Sequence, residues 1–182
     1  MHKINLITHN KNKVKEFKQV LEPEINVNHI DIEYDEIRSD NNDEIAVNSA
    51  KELSKKLNKT VVVEDSGLFI EALKGFPGTC SSYIHKRIGL EGILKLMKDI
   101  NNREGFYKSS VAICSPNEKP KVFSGEEKGT IAESIRGNFG FGHDPVFIPE
   151  DSDKTYGEMQ DCIEKKQFRR IAILKLKEFL IK

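Results

Sequence analysis

The 182-residue chain has little that would tie it to a membrane, an oxidising compartment or a polyanion. Its longest apolar runs, such as Val61–Val63 and Ile171–Leu174, fall far short of the ~20 residues that span a bilayer. The opening MHKINLITHNKNK lacks the apolar stretch of a signal peptide. Cys80, Cys114 and Cys162 stand far apart with no CxxC spacing, so neither a disulfide framework nor a zinc site is suggested and a cytoplasmic location is expected. Lys and Arg number 29 and so do Asp and Glu, which leaves no net field to draw nucleic acid or an anionic membrane. There is no internal repeat, no low-complexity segment and no GxxxxGK[ST] loop. Any anion the chain binds must be caught locally.

What is present reads as one α/β domain over residues 1–182 with a β-rich lobe. KINLIT is β-rich and runs into the polar Thr8–Lys11, after which Val14, Phe17 and Leu21 mark a helix face. Ile25–Ile32 reads as a second strand, followed by an acidic, turn-rich stretch from Tyr34 to Asn42. Ala46, Ala50, Leu53 and Leu57 recur at helical spacing, with Asp43 and Glu44 at the positive end of that helix. Thr60–Val63 is a short β-branched run, the pattern of a strand covered on both faces, that ends in Glu64, Asp65, Ser66, Gly67. Two short helices, Ser81–Ile88 and Leu90–Ile100, follow a Gly/Pro break. Three strands are then expected around Tyr107–Ile113, Val122–Phe123 and Thr130–Ile135, before a glycine-rich loop at 136–144 and a C-terminal helix from Phe168 to Phe179.

Four groups of residues could carry chemistry. Thr8, Asn10 and Lys13 lie at a strand-to-helix join, where backbone N–H groups, short polar side chains and a Lys can surround a phosphate; the same residues also suit a plain helix cap. Glu64 and Asp65 form an adjacent pair of oxygen donors suited to Mg²⁺, or an acidic turn, and Glu36 could add a third carboxylate or be one surface charge among several. Phe141, Gly142, His143 and Asp144 set an aromatic and an acceptor among glycines, fit for stacking on a flat ring or for anchoring a crossover. Lys165, Arg169 and Arg170 open the last helix as pure donors, able to favour a ring oxygen over an amine or simply to face solvent.

Taken in order, THNKNK, VVVEDSGLFIEALKGFPGT, FGFGHDPVFIP and TYGEM resemble the Ham1-like inosine triphosphate pyrophosphatase family, the non-canonical purine nucleoside triphosphate pyrophosphatases. The resemblance spans essentially the whole chain. It implies an elongated mixed α/β fold with two lobes flanking a central cleft, a homodimer, and Mg²⁺-dependent hydrolysis of ITP, dITP and XTP to monophosphate and pyrophosphate. It also implies roles: Thr8, Asn10 and Lys13 as the phosphate loop, Glu36 and Asp65 as metal ligands, and Asp65 as general base with Glu64 as the alternative. Ser66 matches a nucleotide contact, and Phe141, Gly142, His143 and Asp144 match the base-binding FGxD, with His143 where Tyr or Trp is common.

The C-terminus departs from the pattern. Where the family has a Lys and then SHR, this chain has Lys165 and then Phe168, Arg169, Arg170, so Arg170 is expected to keep the base-reading Arg while Arg169 replaces the His. Lys165 stands one position closer to that motif than the family's Lys, and Ser82 falls where a basic residue often follows PG-x-x-S. Two rivals remain at this point: a regulatory purine-nucleotide-binding module with weak or no catalysis, and a pyrophosphatase for other modified nucleotides.

Overall fold

A computed structural model describes residues 2–182. In chain order the main elements are β1 (His2–Ile7), α1 (Lys11–Leu21), β2 (Ile25–Ile30), α2 (Asn42–Leu57), β3 (Val61–Ile70), β4 (Pro77–Gly78) and α3 (Ser81–Leu96). They continue with β5 (Glu104–Cys114), β6 (Lys121–Ile131), β7 (Phe147–Pro149), α4 (Cys162–Lys165) and α5 (Gln167–Ile181). The strands run in the order β2-β1-β3-β5-β6-β7, with β4 paired to β3. β1 pairs in parallel with β2 and β3, whereas β3–β4 and β6–β7 are antiparallel, which makes the fold mixed α/β.

The chain divides into two compact units that interleave in sequence. One holds the residues up to Asp65 with Ser109–Gly125 and Phe168–Lys182; the other holds Ser66–Lys108 and Glu126–Gln167. The units are therefore not successive halves of the chain, because β3, β5 and β6 each contribute to both.

In the first unit, strand alternation sorts side chains onto two faces. Ile4, Leu6, Val62, Val111 and Ile113 join Val14 and Phe17 of α1 and Ala172, Ile173 and Leu176 of α5 in one apolar cluster. The residues between them, Ile7, Val61, Val63, Ala112 and Cys114, join Ala46, Ala50 and Leu53 of α2 in the other. α1 is capped by Asn10, whose side chain accepts from the backbone N–H groups of Asn12 and Lys13.

The second unit packs largely on aromatic rings, with Phe69 stacked on Phe106 at 5.0 Å between centroids and Phe147 lying between Tyr107 and Tyr156. Gly89 leaves helical geometry inside α3 (φ 65°, ψ −168°), so α3 is two short helices joined at a kink, as expected, the second ending at Leu96 rather than Ile100. Two expectations change. Glu64–Gly67 is not a turn but the middle of β3, and Val122 and Thr130 belong to one strand, β6. β3 continues past the acids because it gains β4 as a neighbour: a Cβ on Gly67 would lie 2.1 Å from the Gly78 carbonyl oxygen, so only glycine permits that approach.

Candidate active site

Because Glu64 and Asp65 are consecutive in a strand, they point to opposite faces. Glu64 shares the face of Val62 and meets α1 and α5; Asp65 shares the face of Val63 and meets α2. Two acids that look equivalent in sequence thus enter different surroundings.

On the α1/α5 side, Glu64 Oε1 accepts from Ser109 Oγ at 2.6 Å and from Arg169 Nε at 2.9 Å, and Lys13 Nζ lies 2.7 Å from Glu64 Oε2. The Arg169 guanidinium also pairs through Nη1 with Glu16 of α1. Burial alone would raise the Glu64 pKa, but the charges of Arg169 and Lys13, with the hydrogen bonds from Lys13 and Ser109, hold it at about 2. Burial works against the Arg169 charge as well, and Glu16 and Glu64 more than offset it, so its pKa is raised. Two carboxylates, one guanidinium and one ammonium balance to zero in a place where an unpaired ion would be costly.

Asp65 has no such balance. Its Oδ2 accepts from Asn42 Nδ2 at 2.7 Å, and both side chains are buried. Burial is the largest influence on its pKa and raises it; Lys13 and Asn42 pull the other way, Glu64 and Glu36 push further up, and the result is about 7. Glu36 is exposed, hydrogen-bonded to Tyr34, and near enough to Asp65 to act on its charge. The Tyr34 hydroxyl is pushed up first by its burial and then by Glu36, Asp65 and Glu64. Among the described residues, the cation that acts on Asp65 is Lys13, and its ion pair is with Glu64.

Thr8 is buried and its Oγ1 accepts from the Asn10 backbone N–H at 3.1 Å, so Thr8 and Asn10 shape the β1–α1 turn, and the cap role of Asn10 is real. Lys13 reaches from the first turn of α1 to Glu64 by two contacts, to the carboxylate and, at 3.3 Å, to the backbone oxygen. Ser66 lies half-buried in β3, in the second unit.

In that second unit the loop around Phe141 is built on three left-handed glycines, Gly137, Gly140 and Gly142. At Gly140 the choice is doubly forced, because a Cβ there would also meet Asp144 Oδ2 at 2.1 Å. Asp144 Oδ2 accepts from the Phe141 backbone N–H and from Lys166 Nζ, both at 2.6 Å, and Lys166 Nζ sits 4.0 Å from the centroid of the Phe141 ring. Gly142 has open space where a side chain would stand. His143 is buried, its Nε2 has no partner among the described residues, and its ring meets His85 edge-on at 5.2 Å. Burial and then His85 push its pKa down to about 4, so the imidazole is neutral.

The C-terminal donors sort differently from the expected register. Lys165 is exposed and pairs with Asp161, whereas Lys166 is the buried cation. Arg170 is exposed on α5, and Arg169 is the guanidinium turned inward, committed to two carboxylates rather than left for a base. Sequence reasoning passed over Lys166, Glu16, Ser109 and Asn42. Glu16 did leave a signal, an acid on the same helical stripe as Phe17 and Val20. Asn42 left none, since an Asn at a helix start reads as a cap, and Asn41 takes that role.

The Ham1 family model matches residues 4–179. The chain is 44% identical over 173 residues to the dITP/XTP pyrophosphatase of Korarchaeum cryptofilum, covering 95% of this chain and 93% of that one. It is 47% identical over 158 residues to the protein of the same name from Methanopyrus kandleri, covering 86% and 84%. Among solved structures, the Staphylococcus aureus Ham1 protein superposes with a TM-score of 0.85 at 30% identity, covering 98% of each chain. A nucleoside-triphosphatase / dITP/XTP pyrophosphatase from Mycobacterium abscessus gives 0.75 at 28% identity, covering 96% of this chain and 98% of that one.

Proposed function

Since the chain belongs to the Ham1 family, we propose that it is a nucleoside triphosphate pyrophosphohydrolase, cleaving ITP, dITP and XTP to the monophosphate and pyrophosphate with Mg²⁺. The observation that carries this reading is the uncompensated carboxylate Asp65, with Glu36 near it and the phosphate-loop Lys13 acting on it.

The donor set fits Mg²⁺. Among the described residues no group of three or more His, Cys, Asp or Glu is arranged to hold a metal, which argues against a closed protein cage. Mg²⁺ does not need one: it takes one or two carboxylates and fills its remaining positions with waters and substrate phosphates. Asp65 and Glu36 would hold it, and when bound it would neutralise phosphate oxygens and polarise a water. Glu64 is not suited to that duty, since its oxygens are engaged by Arg169, Ser109 and Lys13.

Lys13 and the backbone from Thr8 to Lys13 bind the phosphates, Lys13 turning its ammonium from Glu64 toward them. Asp65 takes the proton of the attacking water. Glu64, held ionised near pKa 2, anchors Lys13 rather than serving as a base. Phe141 offers a ring face for the purine and Gly142 an unobstructed backbone, while Asp144 keeps that loop in shape. Ser66, His143, Lys165 and Arg170 remain as further nucleotide contacts in this proposal. The family resemblance also leads us to a cytoplasmic homodimer, and the exposed Tyr83, Ile88 and Leu96 of α3 support an oligomeric surface.

The test is pyrophosphate release from ITP, dITP, XTP, ATP, GTP, CTP and UTP, with Mg²⁺ or with EDTA. We expect metal-dependent turnover of the first three well above the other four. Tight nucleotide binding with no turnover would point to a regulatory module, and turnover confined to pyrimidines would give the site a different substrate class.

A further inference from the structure

Asn42 is an unusual residue to find where it is. It is the first residue of α2 and wholly buried, yet it does not cap the helix: Asn41 Oδ1 accepts the Asp43 backbone N–H instead. Its amide orientation is settled by its neighbour, because Nδ2 must face the Asp65 carboxylate; reversed, the amide oxygen would oppose a carboxylate oxygen. That choice leaves Asn42 Oδ1 buried with no partner among the described residues. A buried orphan acceptor is costly, and such atoms mark places where a water or ligand completes the structure.

The turn that carries Asn42 is fastened at several points. Asp43 Oδ1 accepts from Ser110 Oγ of β5 and from Ser124 Oγ of β6, and Ser39 Oγ donates to Glu44 Oε2 and accepts from the Asn41 backbone N–H. The Asp43 bonds tie the start of α2 to β5, the neighbour of β3, and to β6 beyond it, while the Ser39 bonds brace the turn itself. An amide so held can fix a carboxylate's rotation, which a solvent-facing partner could not.

We propose that Asn42 is a positioning residue for the cation site: it ties Asp65 Oδ2 so that Oδ1 is presented to the metal, and its own Oδ1 accepts from a water bound there. This rests on the reading of Asp65 as a metal ligand. Partners of this kind, one bond removed from the metal, change affinity by about 10- to 100-fold when lost.

The replacement that separates positioning from packing is Asn42→Leu, which keeps the branching at Cγ, though with more bulk, and removes both the donor and the orphan acceptor. Mn²⁺ is titrated into the full-length protein without nucleotide, free Mn²⁺ being read by electron paramagnetic resonance, alongside urea unfolding in EDTA. We expect wild type to bind Mn²⁺, Asp65→Asn to lose binding, and Asn42→Leu to bind about tenfold more weakly while its unfolding midpoint in EDTA stays near that of wild type. Asn42→Ala gives the same comparison should the leucine prevent folding. Binding within twofold of wild type in the Asn42 variants, with Asp65→Asn still dead, would overturn the positioning role alone. A wild type that binds no Mn²⁺, or an Asp65→Asn protein that binds as well as wild type, would instead overturn Asp65 as a ligand, and this proposal with it.

Discussion

The two units handle buried charge in different ways. In the first, Lys13, Glu16, Glu64 and Arg169 converge and neutralise one another, and the charge left over is on Asp65. In the second, the buried pair of Asp144 with Lys166 serves a loop whose path depends on left-handed glycines and on the Phe141 ring above the ammonium. One region is organised by electrostatics and the other by backbone shape. Changes in the first should act alike on every nucleoside triphosphate, and changes in the second should act on the choice of base.

The largest effect is expected at Asp65. Asp65→Asn keeps the shape and removes the charge, so hydrolysis of every substrate should fall by at least about a thousandfold, with the circular dichroism spectrum unchanged. Turnover within tenfold of wild type would remove Asp65 from the chemistry.

Next comes Arg169. Arg169→Met strands Glu16 and Glu64 in a buried place and should cost about 3–5 kcal/mol by urea unfolding, whereas Arg170→Ala, on the exposed side of the same helix, should stay within about 0.5 kcal/mol. Equal losses would mean that the inward and outward guanidiniums have been assigned wrongly.

A smaller effect separates the units by pH. His143 has a folded pKa of about 4 against 6.5 for an unperturbed imidazole, so between those values the unfolded chain binds a proton that the native chain does not. Its contribution to stability is intact above pH 6.5 and declines as the pH falls toward 4, by about 3 kcal/mol in all. In His143→Phe, unfolding free energy measured from pH 7 to 4.5 should lose that part of its slope. An unchanged slope would place the titration elsewhere.

Much of this was legible in the sequence, and what was not has physical causes. Helical and strand periodicity located α1, α2 and α5 to within a few residues. The acidic pair Glu64–Asp65 was visible as a pair where a strand ends, but not as the middle of a longer strand, because β4, the neighbour that extends β3, is only two residues long and sits at a Pro-Gly that reads as a break. With the strand recognised, the period of two puts the two acids on opposite faces. Which of them is neutralised could not be read locally, since Arg169 lies 105 positions from Glu64 and 153 from Glu16. The contrast between Lys165 and Lys166 has a similar origin: α4 ends between them, so the first stays with Asp161 in solvent and the second turns inward to Asp144.

The difference between the units is tested most directly by measuring kcat/KM for ITP, XTP and ATP in wild type, Lys13→Ala and Lys166→Met. Lys13→Ala removes the proposed charge-assisted phosphate contact and should lower all three values by a common factor of about 10- to 100-fold, leaving the ITP to ATP ratio as in wild type. Lys166→Met frees Asp144 and the Phe141 ring from their shared ammonium and should narrow the ITP to ATP ratio by about tenfold or more, with less effect on the ATP value itself. A changed ratio in Lys13→Ala together with an unchanged ratio in Lys166→Met would contradict the division of labour between charge and shape.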